Sequence, residues 1–316
     1  MAVIGMDLGG TKLAGAIFDN TGEILYKETL QLEKRNGKQV GEMIETMLDN
    51  LFSKDIEINA VGACIPGISY SNTGRVWAPN IPGWDDYPLK DEISAVIKNK
   101  KIKIDIDSDR SCYILGEAWR GAAIGCKDAV FLAVGTGIGA GILINGKTVR
   151  GSNDIAGAVG WLALDRPFFD KYKSCGCFEY HASGEGLVKI AKEYLYAIGK
   201  YDGKLKEKSI EQITSRDIFD AYSENDIVAK KVIRQGIEFW GMTVANLVSL
   251  LNPEKIIFGG GVFGPALAFL DDIMHEARKW AQPISINLVK LEGSKLGGDA
   301  GLYGAGYLAL NSLNEN

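Results

Sequence analysis

Apolar and polar positions follow one another along this chain in a pattern that predicts the same arrangement of strands and helices twice. Short apolar runs ending in glycine-rich turns indicate strands, and apolar residues three and four positions apart indicate helices. In the first half the predicted strands are 2–7, 12–19, 23–31, 58–65 and 102–106, with helices at 38–53 and 110–120. In the second half the predicted strands are 129–134, 255–258 and 286–291, and a hairpin follows the first of them. The predicted helices are 184–198, 215–222, 225–251, 265–281 and one from about 299, and 163–182 is predicted to be an irregular insertion. The pattern therefore predicts an α/β protein of two related halves.

Size, charge and cysteine content narrow the classes of function. The 316 residues, 46% of them hydrophobic and 24% charged, suit two soluble domains. A net charge of −5 favours neither nucleic acid nor an anionic membrane as a partner. No apolar run reaches the roughly 18 residues of a membrane span, and no signal peptide opens the chain. Five cysteines form no obvious disulfide framework. We therefore expect a cytoplasmic protein without nucleic-acid or membrane partners.

Two glycine-rich hairpins, one in each half, carry the main functional signal. The first covers Met6–Asp19 and the second Val134–Asn145, and both place Gly and Thr in the turn before an Ala-Gly step. Glycine lets the backbone approach phosphate oxygens, while turn amides and a threonine hydroxyl donate hydrogen bonds. The plain alternative is two ordinary hairpins with flexible turns. The repetition favours a phosphate chain held between two related domains.

The residues in these turns are the candidate phosphate-binding and metal-binding groups. An acid beside such a turn, as Asp7 is, can hold a Mg²⁺ ion through a bound water; the alternative is that Asp7 only caps its own hairpin. The candidates in the first turn are Gly9, Gly10, Thr11 and Lys12, and those in the second are Gly135, Thr136 and Gly137.

A third glycine-rich segment, Gly259-Gly260-Gly261-Val262-Phe263-Gly264, matches the G-x-G-x-x-G pattern of dinucleotide-binding proteins. That rival interpretation needs an acid about 20 residues further on; Glu292 could serve, but it lies about 28 residues on, farther than is usual. It also needs further strand–helix–strand units, which do not follow. We therefore interpret Gly259, Gly260 and Gly261 as the wall of an adenosine site for ATP.

Asp109 is the candidate catalytic residue. It follows a buried strand and opens a predicted helix, which puts its carboxylate at the carboxyl edge of a sheet. Phosphoryl transfer needs a group that orients the attacking hydroxyl and accepts its proton. The alternative is a helix N-cap, and one carboxylate can serve both purposes.

These motifs together resemble the ROK family of repressors and sugar kinases, in the actin/hexokinase superfamily, over essentially the whole chain. The family's two phosphate motifs correspond to 7–12 and 135–139, its sugar-side loops to 65–67 and 78–84, its catalytic segment to 107–117, and a sugar-binding stretch to 176–184. The resemblance implies two ribonuclease-H-like domains with a ligand cleft between them: 1–122 plus 300–316, and 123–299. It further implies a homodimer that transfers the γ-phosphate of ATP to a hexose hydroxyl, usually the 6-hydroxyl, with Mg²⁺. The substrate-binding residues it implies are Gly67, Asn80, Ser108, Asp109, Trp161 and Glu179.

The sugar side departs from the family pattern. The family has Glu-x-Gly-His where this chain has Ala158-Val159-Gly160-Trp161, and both missing side chains contact the sugar. Ser108 stands where an Asn usually precedes the catalytic Asp. Trp161 either fills the space of a missing zinc lobe or stacks on a sugar face. A substrate other than a glucose-like sugar, or weak affinity, is therefore expected.

The family's zinc motif, Cys-x-Cys-Gly-x-x-Gly-Cys, is reduced here, and only Cys177 corresponds to a family ligand. Cys175, Cys177 and His181 offer an improvised three-ligand set, but we expect no zinc and instead a Cys-x-Cys strand with a surface histidine nearby.

The rival function is a weak or inactive sugar-binding regulator. Family repressors carry a helix-turn-helix before the first phosphate motif, which here begins at residue 7, so no DNA-binding domain is expected. Retention of Asp7, both glycine turns and Asp109 favours the kinase, because a sensor needs no base.

Overall fold

The computed structural model describes residues 1–97 and 101–314. The chain divides into two compact units. The first consists of 1–127, 141–157 and 294–316, and the second of 128–140 and 158–293. No helix among the described residues is both long enough and apolar enough to cross a membrane.

Twelve strands and nine α-helices occupy the described residues. The strands are β1 (Ala2–Leu8), β2 (Lys12–Asp19), β3 (Ile24–Gln31), β4 (Ile58–Ile65), β5 (Ile68–Ser69), β6 (Val76–Trp77), β7 (Lys103–Ser108), β8 (Ala129–Val134), β9 (Ile138–Ile144), β10 (Lys147–Thr148), β11 (Lys255–Gly259) and β12 (Lys290–Gly293). The helices are α1 (Lys38–Phe52), α2 (Leu89–Val96), α3 (Asp109–Arg120), α4 (Cys177–Ala182), α5 (Gly184–Ala197), α6 (Ser215–Ser223), α7 (Ile227–Leu251), α8 (Leu270–Ala277) and α9 (Ala300–Ser312).

A five-stranded sheet of order β3-β2-β1-β4-β7 forms the centre of the first unit. β1 runs antiparallel to β2 and parallel to β4, and β7 extends the parallel part. Helices cover both faces, so β1 is buried along almost its whole length, whereas the edge strand β3 alternates between half-buried and exposed residues. The parallel arrangement brings the carboxyl ends of β1, β4 and β7 to one edge of the sheet.

Glycines allow α9 to lie directly on this sheet. A Cβ atom on Gly62 of β4 would lie 2.0 Å from the carbonyl oxygen of Ala305, and one on Gly5 of β1 would lie 2.6 Å from the nitrogen of Gly306. The same close approach joins α9 to α3, because a Cβ on Gly304 would lie 1.8 Å from the carbonyl oxygen of Cys112. This packing fixes the first turn of α9 beside the end of β1.

The second sheet has the order β10-β9-β8-β11-β12, in which β11 pairs in parallel with both β8 and β12. In the second unit the 25-residue helix α7 supplies much of the core, including the fully buried Trp240, and its N-terminus is capped by Asp226. The Asp226 carboxylate accepts hydrogen bonds from the backbone of Val228 and Ala229, as an N-cap does.

Three of the predicted segments have a different structure from the one expected, and α2, β5 and β6 were not predicted. The last predicted strand, 286–291, begins only at Lys290, because the Gln282 side chain accepts hydrogen bonds from the following backbone and sustains a turn. The helix predicted at 265–281 is a 3₁₀ segment, Pro265–Phe269, followed by α8. The insertion predicted to be irregular contains α4.

Candidate active site

The first glycine turn joins β1 to β2 at the carboxyl edge of the first sheet. The Gly9 amide donates to the Lys12 carbonyl at 2.9 Å and closes the turn. Gly10, Thr11 and Lys12 are exposed, and no atom of the described residues that could obstruct it lies within 4 Å of the position that a Gly10 Cβ would take. The turn therefore leaves room for a ligand at its backbone, as phosphate binding requires.

Asp7 lies at the end of β1 beneath this turn. It is in register with Cys64 of β4, and a Cβ on Gly301 would lie 2.7 Å from an Asp7 carboxylate oxygen. Its carboxylate therefore rests against the first turn of α9. Burial raises the pKa of Asp7, while a hydrogen bond from the Cys64 thiol and the charge of Lys12 oppose that rise.

Asp109 is the first residue of α3, directly after β7. Its Oδ1 accepts a hydrogen bond from the Arg110 amide at 2.8 Å, and Ser108 caps the helix. Burial raises the pKa of Asp109 to about 6; the charge of Arg110 opposes this shift and the charge of Asp7 adds to it. The structure thus brings Asp7 and Asp109 within electrostatic reach of each other in one unit.

The other predicted sugar-side residues of this unit occupy three different surroundings. Asn80 is exposed in the loop between β6 and α2, which is pinned where the Trp84 indole donates to the Gly37 carbonyl at 3.0 Å. Gly67 allows close packing, because its Cβ would lie 2.0 Å from a carbonyl oxygen of β6. Ser108 is buried, and its hydroxyl accepts from the Ser111 amide. Their roles toward a sugar stay predictions.

An ion-pair network beside Asp109 was not predicted from the sequence. The Arg150 guanidinium lies 3.2 Å from a carboxylate oxygen of the buried Asp107 and 2.8 Å from one of Asp154. It also donates to the Ser69 carbonyl at 2.9 Å. The network fixes the end of β7 two residues before Asp109. The sequence near Asp109 offered one sign of this network, the acidic Asp107 on a buried strand. Its partner Arg150 lies far away in sequence, so the pairing could not be predicted.

The second glycine turn, in the second unit, is held by α5 and by Glu179. The Gly184 amide donates to the Gly135 carbonyl at 2.7 Å, and the Ile138 amide donates to Glu179 Oε2 at 2.6 Å. A Cβ on Gly137 would lie 2.8 Å from that same oxygen, so glycine is what allows the carboxylate to approach. Thr136 is exposed at the tip.

The third glycine segment lies beside this turn. A Cβ on Gly259 would lie 2.2 Å from the Phe131 ring, and one on Gly260 would lie 2.5 Å from the Val134 carbonyl oxygen. Gly260 has φ of 88°, and a Cβ on Gly261 would meet open space in the part of the chain that the structure describes. The two segments therefore converge at the carboxyl end of β8, as the prediction of one ATP site requires.

Trp161 is largely exposed, with 58% of its surface accessible to solvent. It ends a short 3₁₀ segment, Val159–Trp161, and a Cβ on Gly176 would lie 2.6 Å from its Cα. A Cβ on Gly160 would lie 3.0 Å from Glu179 Oε2. Burial raises the pKa of Glu179, and the Ile138 amide opposes this. The exposed Trp161 thus directly follows a glycine that lies against the partly buried Glu179 carboxylate.

The residues that replace the family's zinc motif do not fit a zinc ion. Tyr172 and Gln235 each lie 2.8 Å from one ring nitrogen of His181, so neither nitrogen is available to a metal. Throughout 1–97 and 101–314, no group of three or more His, Cys, Asp or Glu residues could hold one. The expected strand with a surface histidine is wrong: Cys177 begins α4, Cys175 precedes it, and His181 is buried.

The sheet orders and the glycine turns define the class of protein first: an α/β protein of the actin/hexokinase-like fold. The chain belongs to the ROK family, whose model matches residues 3–312. The predicted fold class and family are confirmed.

Individual relatives include both enzymes and a regulator. A glucokinase of Halalkalibacterium halodurans is 31% identical over 99% of this chain and 96% of its own length. The crystal structure of a ROK family glucokinase from Streptomyces griseus, in complex with glucose and AMPPNP, is 29% identical with a TM-score of 0.76, covering 98% of this chain and 100% of that one. A xylose repressor of Caldicellulosiruptor bescii is 30% identical over 93% of this chain and 74% of its own length. The kinase matches confirm the predicted enzyme class, an ATP-dependent sugar kinase.

Proposed function

We propose that this kinase phosphorylates a hexose or hexose derivative at its 6-hydroxyl, with Asp109 as the base. The observation that carries the proposal is the position of Asp109. It begins a helix at the sheet edge, within electrostatic reach of Asp7, and burial raises its pKa to about 6. A carboxylate with that pKa is ionised at neutral pH and still accepts a proton effectively.

The proposed reaction is a direct transfer. The sugar hydroxyl oxygen forms a bond to the γ-phosphorus of ATP, the bond from that phosphorus to the bridging oxygen breaks, and ADP leaves. Asp109 orients the hydroxyl and receives its proton. The carboxylate of Asp7, beside an exposed glycine turn, suits a Mg²⁺ ion held through water, and that ion would neutralise phosphate charge when bound.

The phosphate groups have candidate donors in both glycine turns. We assign Gly9, Gly10, Thr11 and Lys12 of the first unit to phosphate oxygens. In the second unit we assign ATP contacts to Gly135, Thr136, Gly137, Gly259, Gly260 and Gly261. Support comes from the backbone space at Gly10 and Gly261 and from the convergence of two glycine segments at the end of β8.

On the sugar side we assign Asn80, Gly67, Ser108 and Asp109 of the first unit, and Glu179 and Trp161 of the second. Ala158 and Trp161 replace the Glu and His of the family pattern. The absence of each of those two polar side chains costs about 1–3 kcal/mol of affinity for a sugar that needs it. An exposed indole instead suits an apolar sugar face. The substrate is therefore proposed to have fewer or differently placed hydroxyls than glucose.

A sugar-binding regulator without turnover is the second candidate function. The replaced side chains at 158 and 161 favour it, and one relative is a repressor. The retained Asp7 and Asp109 favour the kinase, because sugar binding alone requires no base. The remaining proposals, a cytoplasmic homodimer that binds no nucleic acid, rest on the family resemblance and on composition.

The test is ADP release from Mg-ATP across hexoses, hexosamines and N-acetylated amino sugars, followed by phosphorus NMR of the product. Saturable release with one sugar and a 6-phosphate product is the expected result. A product phosphorylated elsewhere contradicts the 6-hydroxyl assignment. ATP binding without sugar-dependent ADP release from any member of the panel contradicts the kinase and favours the regulator.

A further inference from the structure

A chain of hydrogen bonds surrounds His181 in the second unit. The Tyr172 hydroxyl lies 2.8 Å from His181 Nε2, and the Gln235 amide nitrogen lies 2.8 Å from His181 Nδ1. The Phe239 ring stacks on the imidazole, with the ring centroids 4.4 Å apart. Tyr172 belongs to the 3₁₀ segment Asp170–Ser174, His181 to α4, and Gln235 and Phe239 to α7. Three separate segments therefore meet at one buried ring.

The donor and the acceptor of each hydrogen bond around His181 can be assigned. An amide nitrogen can only donate, so His181 Nδ1 accepts and the proton of the neutral ring is on Nε2. That proton is donated to the Tyr172 oxygen, whose own hydrogen points to Asp165 at 3.4 Å. The Tyr194 hydroxyl donates to the Gln235 carbonyl oxygen at 3.2 Å and holds the amide in this orientation. Both ring nitrogens are thus satisfied without a metal.

The same helix presents Glu179 on its other side. Glu179 and His181 are two residues apart, which corresponds to about 200° around a helix. The His181 side is bound to α7 and to Tyr172, while Glu179 accepts from the Ile138 amide at 2.6 Å, directly after the second glycine turn. The Trp240 indole also donates to the Ala182 carbonyl at 3.1 Å. A displacement of α4 at His181 must therefore displace the Glu179 carboxylate.

We propose that Tyr172, His181 and Gln235 form a metal-free support that positions α4 and, through it, Glu179. The three are positioning residues, because their hydrogen bonds hold α4 and it is Glu179 that binds the backbone directly after the second glycine turn. The support replaces the zinc ion that this part of the chain does not fit. Its consequence for catalysis rests on the proposed function, in which Glu179 contacts the sugar.

The first test compares Tyr172→Phe with a matched control, Tyr201→Phe. Tyr172→Phe keeps the ring but leaves the His181 proton without its acceptor. Tyr201→Phe removes a phenol hydroxyl of the same unit that donates to Asp226 at the start of α7 and accepts from the Leu205 amide. The readout is hydrogen exchange of the Ile138 amide, which reports directly on its bond to Glu179 and needs no substrate.

We expect Tyr172→Phe to speed Ile138 exchange by roughly threefold to tenfold, as loss of one hydrogen bond implies, and Tyr201→Phe to leave it unchanged. With an active sugar, KM for that sugar should rise by a similar factor in Tyr172→Phe, with a smaller change in kcat. Unchanged Ile138 exchange in Tyr172→Phe, or an equal change in both variants, overturns the proposal. Because hydrogen exchange of the Ile138 amide is measured without substrate, it tests the support even if no sugar is phosphorylated. A failure of the proposed function would appear only in the turnover assay.

A second test addresses the metal. Purified protein is assayed for zinc and then heated with and without a zinc-selective pyridyl chelator, in excess Mg²⁺. Substoichiometric zinc and an unchanged Tm are the expected results. One zinc per chain, with a lower Tm after chelation, overturns the metal-free support.

Discussion

Replacing Asp109 by Asn should make the protein more stable. The folded-state pKa of Asp109 is about 6, against 3.8 for an ordinary aspartate, because burial disfavours the charged carboxylate. At 1.36 kcal/mol for each pH unit, that difference of about 2 corresponds to about 3 kcal/mol at neutral pH. The side chain is half-buried, and its remaining solvent contact reduces the cost, so we expect a gain of about 2 kcal/mol. Asn keeps an oxygen for the Arg110 amide and carries no charge to desolvate.

The pH dependence gives this prediction its signature. Because the pKa is raised on folding, the folded state binds the proton more tightly than the unfolded state. Wild-type stability contributed by Asp109 is therefore lost as pH rises from about 4 through about 6, and is level above that. The advantage of Asp109→Asn should grow over the same window.

Urea unfolding followed by tryptophan fluorescence, between about pH 4.5 and 7.5, measures this difference. Asp217→Asn provides a control of opposite sign, since a hydrogen bond from Lys208 lowers the pKa of Asp217 to about 2. That variant should lose stability at neutral pH. The reasoning is refuted if Asp109→Asn is no more stable than wild type at about pH 7.5, or if its advantage does not change with pH.

Three further predictions concern Glu117, Gly62 and the pH dependence of turnover. Glu117 is fully buried and accepts hydrogen bonds from backbone amides at 122, 295 and 296, so Glu117→Ala should lower the free energy of unfolding by about 3 kcal/mol or more. Urea unfolding tests this against Ser294→Ala, which removes one bond; equal losses in both variants would contradict it. Gly62→Ala forces a methyl group to within 2.0 Å of a carbonyl oxygen of α9 and should cost about 3 kcal/mol, whereas Gly10→Ala, in open space, should cost under about 1 kcal/mol. Since the base must be ionised, kcat/KM should rise with pH through about 6 and then level off, and a flat profile from about pH 5 to 8 would argue against Asp109 as the base.

Local sequence patterns were sufficient for the elements that carry the phosphate candidates. The meander predicted at 2–7, 12–19 and 23–31 matches β1, β2 and β3 within one residue at each end. Asp109 was placed correctly at a strand-to-helix junction, because the apolar run before it and the helical spacing after it are both short-range signals. Each of these features depends on residues that are neighbours in the chain.

Features that depend on distant residues were not predictable in this way. The α4 helix was missed because its six residues are stabilised by Gln235 and Phe239, more than fifty positions away. Helix propensity over so short a segment is weak, and tertiary packing decides the outcome. The Arg150 network was missed for the same reason, since its two carboxylates, its guanidinium and the Ser69 carbonyl come from three segments that only the fold brings together.

The most direct test of the central claim is the turnover of Asp109→Asn with the sugar that the wild type phosphorylates. If Asp109 accepts the hydroxyl proton, kcat should fall by about 10²–10⁴-fold, while calorimetry shows sugar and ATP still binding with near wild-type affinity. A variant that retains kcat within about tenfold of wild type, with both ligands bound, would contradict the assignment of Asp109 as the base.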